Sequence, residues 1–208
     1  MGSILEALSP EQQIACSTQN NILLTACPGS GKTRTLTHRL AYQVLRDPAS
    51  KKIKIAITYT NRAAEEITNR LEGMNIDQSS IWAGTIHQFC MHFIIRPYAM
   101  YSKRLCKGYR IIDDYSKKAY GREIAERLGM HLNYYDDPFQ YENVRTEYKR
   151  VLKEKKEIDF DAILLISEEL LASCAFIGSN IASVISSILV DEFQDTNELQ
   201  YSILSTIY

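Results

Sequence analysis

Residues 22–34, with the sequence ILLTACPGSGKTR, decide the fold class of this chain. They open with an apolar run that meets a turn rich in Gly and Pro, which predicts a buried strand ending at a tight loop. After the loop, Leu36, Leu40 and Val44 recur at helical spacing until the Asp-Pro pair at 47–48 ends the pattern. A strand, a glycine-rich loop and a helix in this order predict an α/β domain built around a phosphate-binding loop.

The loop at 26–33, ACPGSGKT, fits the phosphate-loop pattern, with Ala26 in place of the first Gly of the strict form. Glycines allow backbone N–H groups to turn toward phosphate oxygens, and the following helix adds its positive N-terminal end. Lys32 is expected to neutralise the β- and γ-phosphates, and the Thr33 hydroxyl is expected to bind Mg²⁺. The sequence therefore predicts a nucleoside triphosphate site. Its expected loop contacts are Pro28, Gly29, Ser30, Gly31, Lys32 and Thr33.

Two adjacent carboxylates follow the apolar run SSILV at 186–190. That run predicts a strand, so Asp191 and Glu192 should lie at its carboxyl end, where parallel sheets bind their ligands. Asp191 can hold Mg²⁺, and Glu192 can orient and deprotonate an attacking water molecule. Alone, the pair is also compatible with a solvated strand end. Beside a phosphate loop, it indicates hydrolysis of the triphosphate.

Strand and helix patterns alternate along the first half of the chain, which favours a parallel α/β sheet. Asn61 is the predicted N-cap of one of these helices. Helical patterns dominate between about 110 and 180, and the predicted segments are 115–129, 141–156 and 160–176. The predicted domains are 1–109 for the first part of the ATP-binding domain, 110–180 for an inserted helical subdomain, and 181–208 for the return to the ATP-binding domain.

Composition and charge narrow the class of protein. Of the 208 residues, 45% are hydrophobic and 24% charged, a balance typical of a globular domain. The net charge of −1 gives no general basic surface, so any contact with nucleic acid must be local. Five scattered cysteines without a C-x-x-C pair favour reduced thiols over a metal or redox site. No apolar run approaches the ~20 residues of a membrane span, so we expect a cytoplasmic protein without membrane contact.

Taken in order, the motifs resemble those of the UvrD/Rep-type superfamily 1 DNA helicases. The segments that match the family are LSPEQQIA (8–15), ACPGSGKTR (26–34), ITYTNRAA (57–64), GTIHQF (84–89), DFDAIL (159–164) and DEFQDTNELQ (191–200). The resemblance implies a RecA-like P-loop NTPase sheet flanked by helices, with an inserted, mainly helical subdomain. It also implies an ATP-dependent DNA helicase that uses ATP and Mg²⁺ and acts on single-stranded DNA.

The resemblance assigns roles to further residues. It implies that Gln12 recognises the adenine base, that Arg34 belongs to the nucleotide site, and that Gln194 couples this site to DNA. The residues it places along single-stranded DNA are Thr58, Tyr59, Thr60, Asn61, Arg62, Thr85 and His87. The Tyr59 ring offers a face for base stacking, and the hydroxyl and amide groups can bind phosphates without recognising sequence.

Structural alternatives exist for several of these residues. Asn61 can serve only as a helix cap, Tyr59 only as core, and His87 as an ordinary buried histidine. The tyrosines between Tyr98 and Tyr148 are most simply explained as packing residues. The basic stretch at 149–157 is compatible with a solvated helix face as well as with a surface for the DNA backbone.

The family's next motif, a GD-x-x-Q segment, does not occur before residue 208. The second RecA-like domain, which supplies an arginine finger, does not occur either. We therefore expect a fragment with an unpaired sheet edge that alone binds ATP weakly and hydrolyses it poorly. Similar motors serve repair, recombination or phage defence, in some cases with a nuclease or repair partner. The alternative is a non-catalytic module whose binding to DNA or a partner protein is controlled by nucleotide. A small-molecule phosphotransferase is disfavoured by the motifs around Gln12 and Asp191.

Overall fold

The computed structural model describes residues 2–27 and 29–207. The first helices and strands along the chain are α1 (Gly2–Leu5), α2 (Pro10–Ser17), α3 (Lys32–Arg46), β1 (Ile53–Thr58), α4 (Asn61–Gly73), β2 (Ile81–Thr85), α5 (Ile86–Phe89) and α6 (Arg96–Tyr98). The later ones are β3 (Arg110–Ile111), α7 (Asp114–Arg127), α8 (Glu142–Lys155), β4 (Glu157–Ile158), α9 (Phe160–Ser173), α10 (Ala175–Val184), β5 (Ile185–Val190) and α11 (Glu198–Ile207). A π-helix at Cys90–Ile95 connects α5 to α6. The chain divides into two compact units, one from Met1–Phe89 with Gly178–Tyr208 and one from Cys90–Ile177.

The first unit contains a three-stranded sheet in the order β2-β1-β5, and all its pairs are parallel. The central strand β1, IKIAIT, is a nearly continuous apolar run of the kind that parallel sheets bury on both faces. Thr58 lies opposite Thr85 of β2, and Ile57 lies opposite Val190 of β5. The carboxyl ends of the three strands therefore meet at one edge. The predicted parallel α/β sheet with flanking helices is confirmed.

Helices α3 and α4 pack on this sheet around one apolar core. Its buried residues are Leu40, Ala41, Val44, Ala56, Ile67, Leu71 and Ile76. In each helix these side chains recur three or four residues apart and so share one face. The hydroxyl of Thr60 accepts a hydrogen bond from the backbone N–H of Ala63 at 3.1 Å and caps α4. The prediction of Asn61 as the cap was wrong, because Thr60 has the extended backbone that an N-cap requires and Asn61 is already helical.

The strand predicted at 22–26 was also wrong. Residues 21–27 form no strand with any described part of the chain, and Ile22, Leu23 and Leu24 are 42%, 73% and 39% exposed. A strand requires a neighbour whose backbone groups complete its hydrogen bonds. The described strands of the first unit pair only with each other, so this apolar run approaches the phosphate loop as an irregular, exposed segment.

The second unit is mainly helical. Helices α7 and α8 pack around a core formed by Ile112, Ile124, Ala125, Val144, Tyr148, Val151 and Leu152. The short strands β3 and β4 pair in parallel. Asp113 and Asp159 cap α7 and α9, because their carboxylates accept hydrogen bonds from backbone N–H groups three residues further on. The unit begins at Cys90, whereas the sequence predicts the inserted subdomain from residue 110; those predicted boundaries stay a prediction.

Two features of this unit differ from expectation. The helix predicted at 160–176 is two helices, because Cys174 leaves the helical conformation with φ −135° and ψ 81°. Tyrosines that were expected in packing positions are exposed to solvent; Tyr115, Tyr134 and Tyr135 are 83%, 82% and 94% exposed. Tyr148 is buried, as expected, and donates a hydrogen bond to Asp159 at 3.0 Å. Burial, followed by the charge of Asp159, raises the pKa of this phenol.

None of the helices in the described ranges combines the length and the apolar character that crossing a membrane requires.

Candidate functional site

The phosphate loop ends in two glycines with left-handed backbones. Gly29 has φ +78° and Gly31 has φ +90°, a region that residues with a Cβ rarely adopt. Gly31 directly precedes α3, which begins at Lys32. Since glycine has no side chain to cap the helix, the first N–H groups of α3 stay available for an anion. Pro28, also predicted as a nucleotide contact, lies outside the described residues.

The loop contacts the acidic motif through one hydrogen bond. The hydroxyl of Thr33 donates to Oδ2 of Asp191 at 3.0 Å, although the two residues are 158 positions apart in sequence. Asp191 follows β5, is 8% exposed, and donates its backbone N–H to the carbonyl of Ile57 at 2.9 Å. The sheet therefore brings the two predicted Mg²⁺ ligands into direct contact.

Glu192 and Gln194 lie beside this contact and are exposed. Glu192 has φ +51°, an uncommon conformation for a residue other than glycine, and such outliers are enriched at functional sites. Its N–H donates to Oδ1 of Asp191 at 3.1 Å. The side chain of Gln194 donates to Oε2 of Glu192 at 2.5 Å. The backbone of Glu192 is therefore held by Asp191, and its predicted water-activating carboxylate is held by Gln194.

The other predicted nucleotide residues surround the loop. Lys32 donates from Nζ to the carbonyl of Ala26 at 3.3 Å, which holds its ammonium over the loop. Gln12 donates from Nε2 to the carbonyl of Ser30 at 3.1 Å, so α2 contacts the loop directly. Gln12 also belongs to the capping box that starts α2. Arg34 is exposed and donates to the carbonyl of Ala7 at 2.9 Å.

A depression lies at the carboxyl edge of the sheet. It is lined by Ile57, Thr58, Tyr59, Thr85, Ile86, His87, Val190, Thr196, Gln200 and Leu204. Four residues predicted along DNA belong to this lining, because they lie at or just after the carboxyl ends of β1 and β2 at the same edge. Tyr59 is 41% exposed, and its hydroxyl donates to Oγ1 of Thr196 at 3.3 Å. The Tyr59 ring therefore does not belong to the core.

The remaining residues predicted along DNA lie on the first turn of α4. Thr60 uses its hydroxyl as the helix cap, and Asn61 and Arg62 are exposed next to it. Thr85 has a second function in the fold. Its hydroxyl accepts from the N–H of Gln88 at 3.3 Å, and its own N–H donates to Oε1 of Gln88 at 2.9 Å. This reciprocal pair fixes the start of α5 beside the depression.

Sequence reasoning did not single out Thr196 and Gln200 as lining residues of the depression. Both belong to the quoted motif DEFQDTNELQ; Thr196 has an extended backbone before α11, and Gln200 lies in the first turn of α11. The motif marked both residues in the sequence. Assigning them to the depression also required knowing that α11 begins at the sheet edge.

The cysteines differ in burial and therefore in reactivity. Burial raises the pKa of Cys16 to about 11 and the pKa of Cys90 to about 12. These thiols stay protonated at neutral pH, which makes them poor nucleophiles. Cys27 in the phosphate loop and Cys106 in the second unit are exposed.

Comparisons with known proteins agree on one family. The family model described as UvrD/REP helicase N-terminal domain matches residues 8–137 and 130–208. DNA helicase II of Escherichia coli is 27% identical over 228 aligned residues, which cover 96% of this chain and 31% of that protein. ATP-dependent DNA helicase PcrA of Leuconostoc citreum is 27% identical, with 92% of this chain and 29% of that protein covered. PcrA of Staphylococcus aureus is 26% identical, with 100% of this chain and 32% of that protein covered.

The chain thus spans about a third of the length of these curated relatives. The family model extends from residue 8 to residue 208. The chain therefore belongs to the UvrD/REP helicase N-terminal domain family.

Proposed function

We propose that this chain is the ATP-binding N-terminal portion of an ATP-dependent DNA helicase or translocase that acts on single-stranded DNA. The contact between Thr33 and Asp191 is the observation that supports this most directly, since it joins the phosphate loop to the acidic motif. The names of the relatives, DNA helicase II and ATP-dependent DNA helicase PcrA, support the same function.

The residues at this contact suit Mg²⁺. Magnesium binds oxygen ligands and is commonly held by one or two carboxylates together with the phosphates of the substrate. The Thr33 hydroxyl and the largely buried Asp191 carboxylate provide two such oxygens side by side. These residues would hold the ion, which when bound neutralises charge on the β- and γ-phosphates.

The other residues of the site have separate roles in the binding and hydrolysis of ATP. Lys32 binds the β- and γ-phosphates, and Glu192 orients the attacking water and accepts its proton. Gln194, which holds Glu192, couples this chemistry to DNA. Gln12 recognises the adenine base from its position against the loop. The remaining nucleotide contacts are Pro28, Gly29, Ser30, Gly31 and Arg34.

The proposed path of single-stranded DNA along the protein, which we call the DNA track, begins at the depression. Tyr59 stacks on a base, and such a contact contributes about 1–3 kcal/mol in single-strand tracks. Thr58, Thr85 and His87 line the same depression and contact the DNA backbone. Thr60, Asn61 and Arg62 continue the track along the exposed start of α4, where a helix N-terminus favours phosphate. These contacts are independent of sequence, as a translocase requires.

We also propose a finer description of the architecture. The sheet unit is a RecA-like ATP-binding domain, and the Cys90–Ile177 unit corresponds to the helical subdomain predicted at 110–180. Because the relatives are about three times longer, a second RecA-like domain of the same protein completes the ATP cleft. It would supply an arginine finger, which is worth about 10³–10⁵ in the rate of related reactions. The chain alone is then expected to bind ATP weakly and hydrolyse it slowly.

The exposed Cys27 provides a direct test of the nucleotide site. In the full-length protein, ATP with Mg²⁺ should slow alkylation of Cys27 because the triphosphate covers the loop, while Cys106 continues to react at the same rate. Mass spectrometry measures both thiols in one sample, so Cys106 is the internal control. Equal labelling of Cys27 with and without ATP, at saturating nucleotide, would contradict the site. An ATPase assay then distinguishes a motor from a non-catalytic binding module, because only a motor hydrolyses ATP faster when single-stranded DNA is added.

A further inference from the structure

Three aromatic rings form a cluster on the surface of the second unit. The ring centroids of Tyr101 and Phe176 are 5.1 Å apart, and Tyr98 lies 6.3 Å and 6.1 Å from them. Tyr101 is 50% exposed, Phe176 is 43% exposed and the neighbouring Met100 is 72% exposed. Contiguous exposed apolar groups of this kind mark binding surfaces more often than isolated ones do.

The same part of the chain is strongly basic. Residues 90–112 contain five Lys or Arg and no Asp or Glu, in a chain whose net charge is −1. Arg104 and Arg110 form ion pairs with glutamates of the same unit. The cations of this segment that are exposed and have no ion pair among the described residues are Arg96, Lys103 and Lys107. Three exposed cations close to Tyr98 and Tyr101 in sequence are therefore not neutralised by ion pairs within the described part of the chain.

Hydrogen-bonded turns at 102–105 and 105–108 contain the two lysines, shortly after Tyr101 in the sequence. The carbonyl of Ser102 accepts a hydrogen bond from the N–H of Leu105 at 3.1 Å. Leu105 is 2% exposed and anchors the turn in the core of the unit. Lys103 and Lys107 are exposed and follow the exposed Tyr101 by two and six residues. A backbone already held in these turns needs less ordering when a ligand binds.

We infer that this surface binds single-stranded nucleic acid, an inference that rests on the proposed function and adds a second contact to it. We call the surface the aromatic–basic patch; its residues are Tyr98, Met100, Tyr101, Lys103, Lys107 and Phe176. Bases stack on the exposed rings, and the phosphates bind the lysines. Only unpaired bases expose their faces for stacking, which favours a single strand over a duplex. Interfaces between proteins are depleted in Lys, which favours a polyanion over a second protein.

Binding of a dye-labelled oligo(dT) to the full-length protein tests the ring contact by fluorescence anisotropy. Tyr101→Ala should weaken binding about tenfold, because one stacking contact is lost. Tyr101→Phe keeps the ring and should bind like the wild type, whereas Tyr101→Leu, which keeps only apolar bulk, should not. Tyr115→Ala is the matched control, since Tyr115 is 83% exposed in the same unit and belongs to no part of the patch.

The salt dependence of binding tests the lysines. Lys103→Ala with Lys107→Ala should lower the slope of log affinity against log salt by about 1.4, which corresponds to two phosphate contacts on a single strand. Lys118→Ala, an exposed lysine of α7, should leave the slope unchanged. These side chains are exposed, so the variants keep the fold.

The outcomes separate the two proposals. If the wild type binds oligo(dT) and the patch variants bind like their controls, the patch is not a nucleic-acid site, while the proposed function stands. If the wild type itself does not bind, the proposed function fails. Unchanged oligo(dT) binding with an altered oligomeric state in Tyr101→Ala, measured by light scattering, would make the patch a protein interface and overturn the inference.

Discussion

Two apolar runs lead into the two halves of the same site but have different structures. They are residues 22–26, ILLTA, and residues 186–190, SSILV. SSILV belongs to β5, pairs with β1 and delivers Asp191 to the sheet edge. ILLTA leads into the phosphate loop without any strand pairing, and Leu23 is 73% exposed. ILLTA is the more apolar of the two. The difference teaches that a neighbouring strand with free backbone groups, rather than local apolar character, decides which run becomes a strand.

The two halves are nevertheless in contact, because α3 carries Thr33 back to Asp191. The phosphate loop is thus positioned by the helix after it and by Gln12, rather than by a strand before it. On the β5 side, the sheet itself fixes the residues. Substitutions in the phosphate loop and substitutions in the residues after β5 should therefore change different properties of the protein.

The largest effects are expected on hydrolysis by the full-length protein with single-stranded DNA. Lys32→Ala should abolish turnover because the phosphates lose their cation, and it should also weaken ATP binding. Glu192→Gln, after β5, should keep ATP binding but lower turnover at least about 100-fold, because the general base is lost. Nucleotide binding and steady-state hydrolysis measure the two effects separately. Glu198→Gln is the control, since Glu198 is an exposed acid of α11. Near-normal turnover in Glu192→Gln would remove Glu192 from the chemistry.

The next prediction compares how much the two apolar runs contribute to the free energy of unfolding. Leu189→Ala should lower the free energy of unfolding by about 2 kcal/mol, because Leu189 packs against the core of the sheet unit. Leu23→Ala should lower it by less than about 0.5 kcal/mol, because Leu23 is largely exposed. Chemical denaturation of the chain measures both. Equal losses would show that residues 22–26 are packed in a sheet after all.

Local patterns were sufficient to predict most of the fold. The apolar run of β5 and the apolar face of α3 are encoded in consecutive residues, and each was predicted close to its observed bounds. The strand at 22–26 failed because pairing is a non-local property that no window of sequence contains. The cap of α4 failed by one residue, since Thr60 and Asn61 are both good capping residues and only the backbone conformation distinguishes them.

The sequence also predicted which two motifs would meet at the candidate site. The loop and the acidic motif have fixed patterns, so Thr33 and Asp191 could be named before their contact was seen. The contributions of Thr196 and Gln200 to the depression depend on where α11 begins relative to β1 and β2. That relation comes from the packing of distant segments, and spacing alone does not reveal it. The exposure of Tyr101 and Phe176 in the second unit could not be predicted for the same reason.

A smaller effect concerns β1, the strand that pairs with β5. Lys54 is 3% exposed in this strand, and its Nζ has no hydrogen-bond partner among the described residues. A buried ammonium without partners is costly, so Lys54→Met, which keeps the unbranched shape, should raise the free energy of unfolding by about 1–2 kcal/mol. Thermal or chemical denaturation measures this, with the exposed Lys52→Met as the control expected to change little. A loss of stability in Lys54→Met would mean that the ammonium has a partner elsewhere in the protein.

The smallest effect concerns the hydrogen bond that links the end of β1 to the segment after β5. Tyr59→Phe removes the hydroxyl that donates to Thr196 at 3.3 Å but keeps the ring. Stability should fall by less than about 1 kcal/mol, and affinity for single-stranded DNA should stay within about twofold, because stacking needs only the ring. Tyr59→Ala should weaken DNA affinity while basal hydrolysis is retained. A double-mutant cycle with Thr196→Val measures the coupling, which should be about 0.5 kcal/mol. Strictly additive effects would mean that this bond does not connect the end of β1 to the segment after β5.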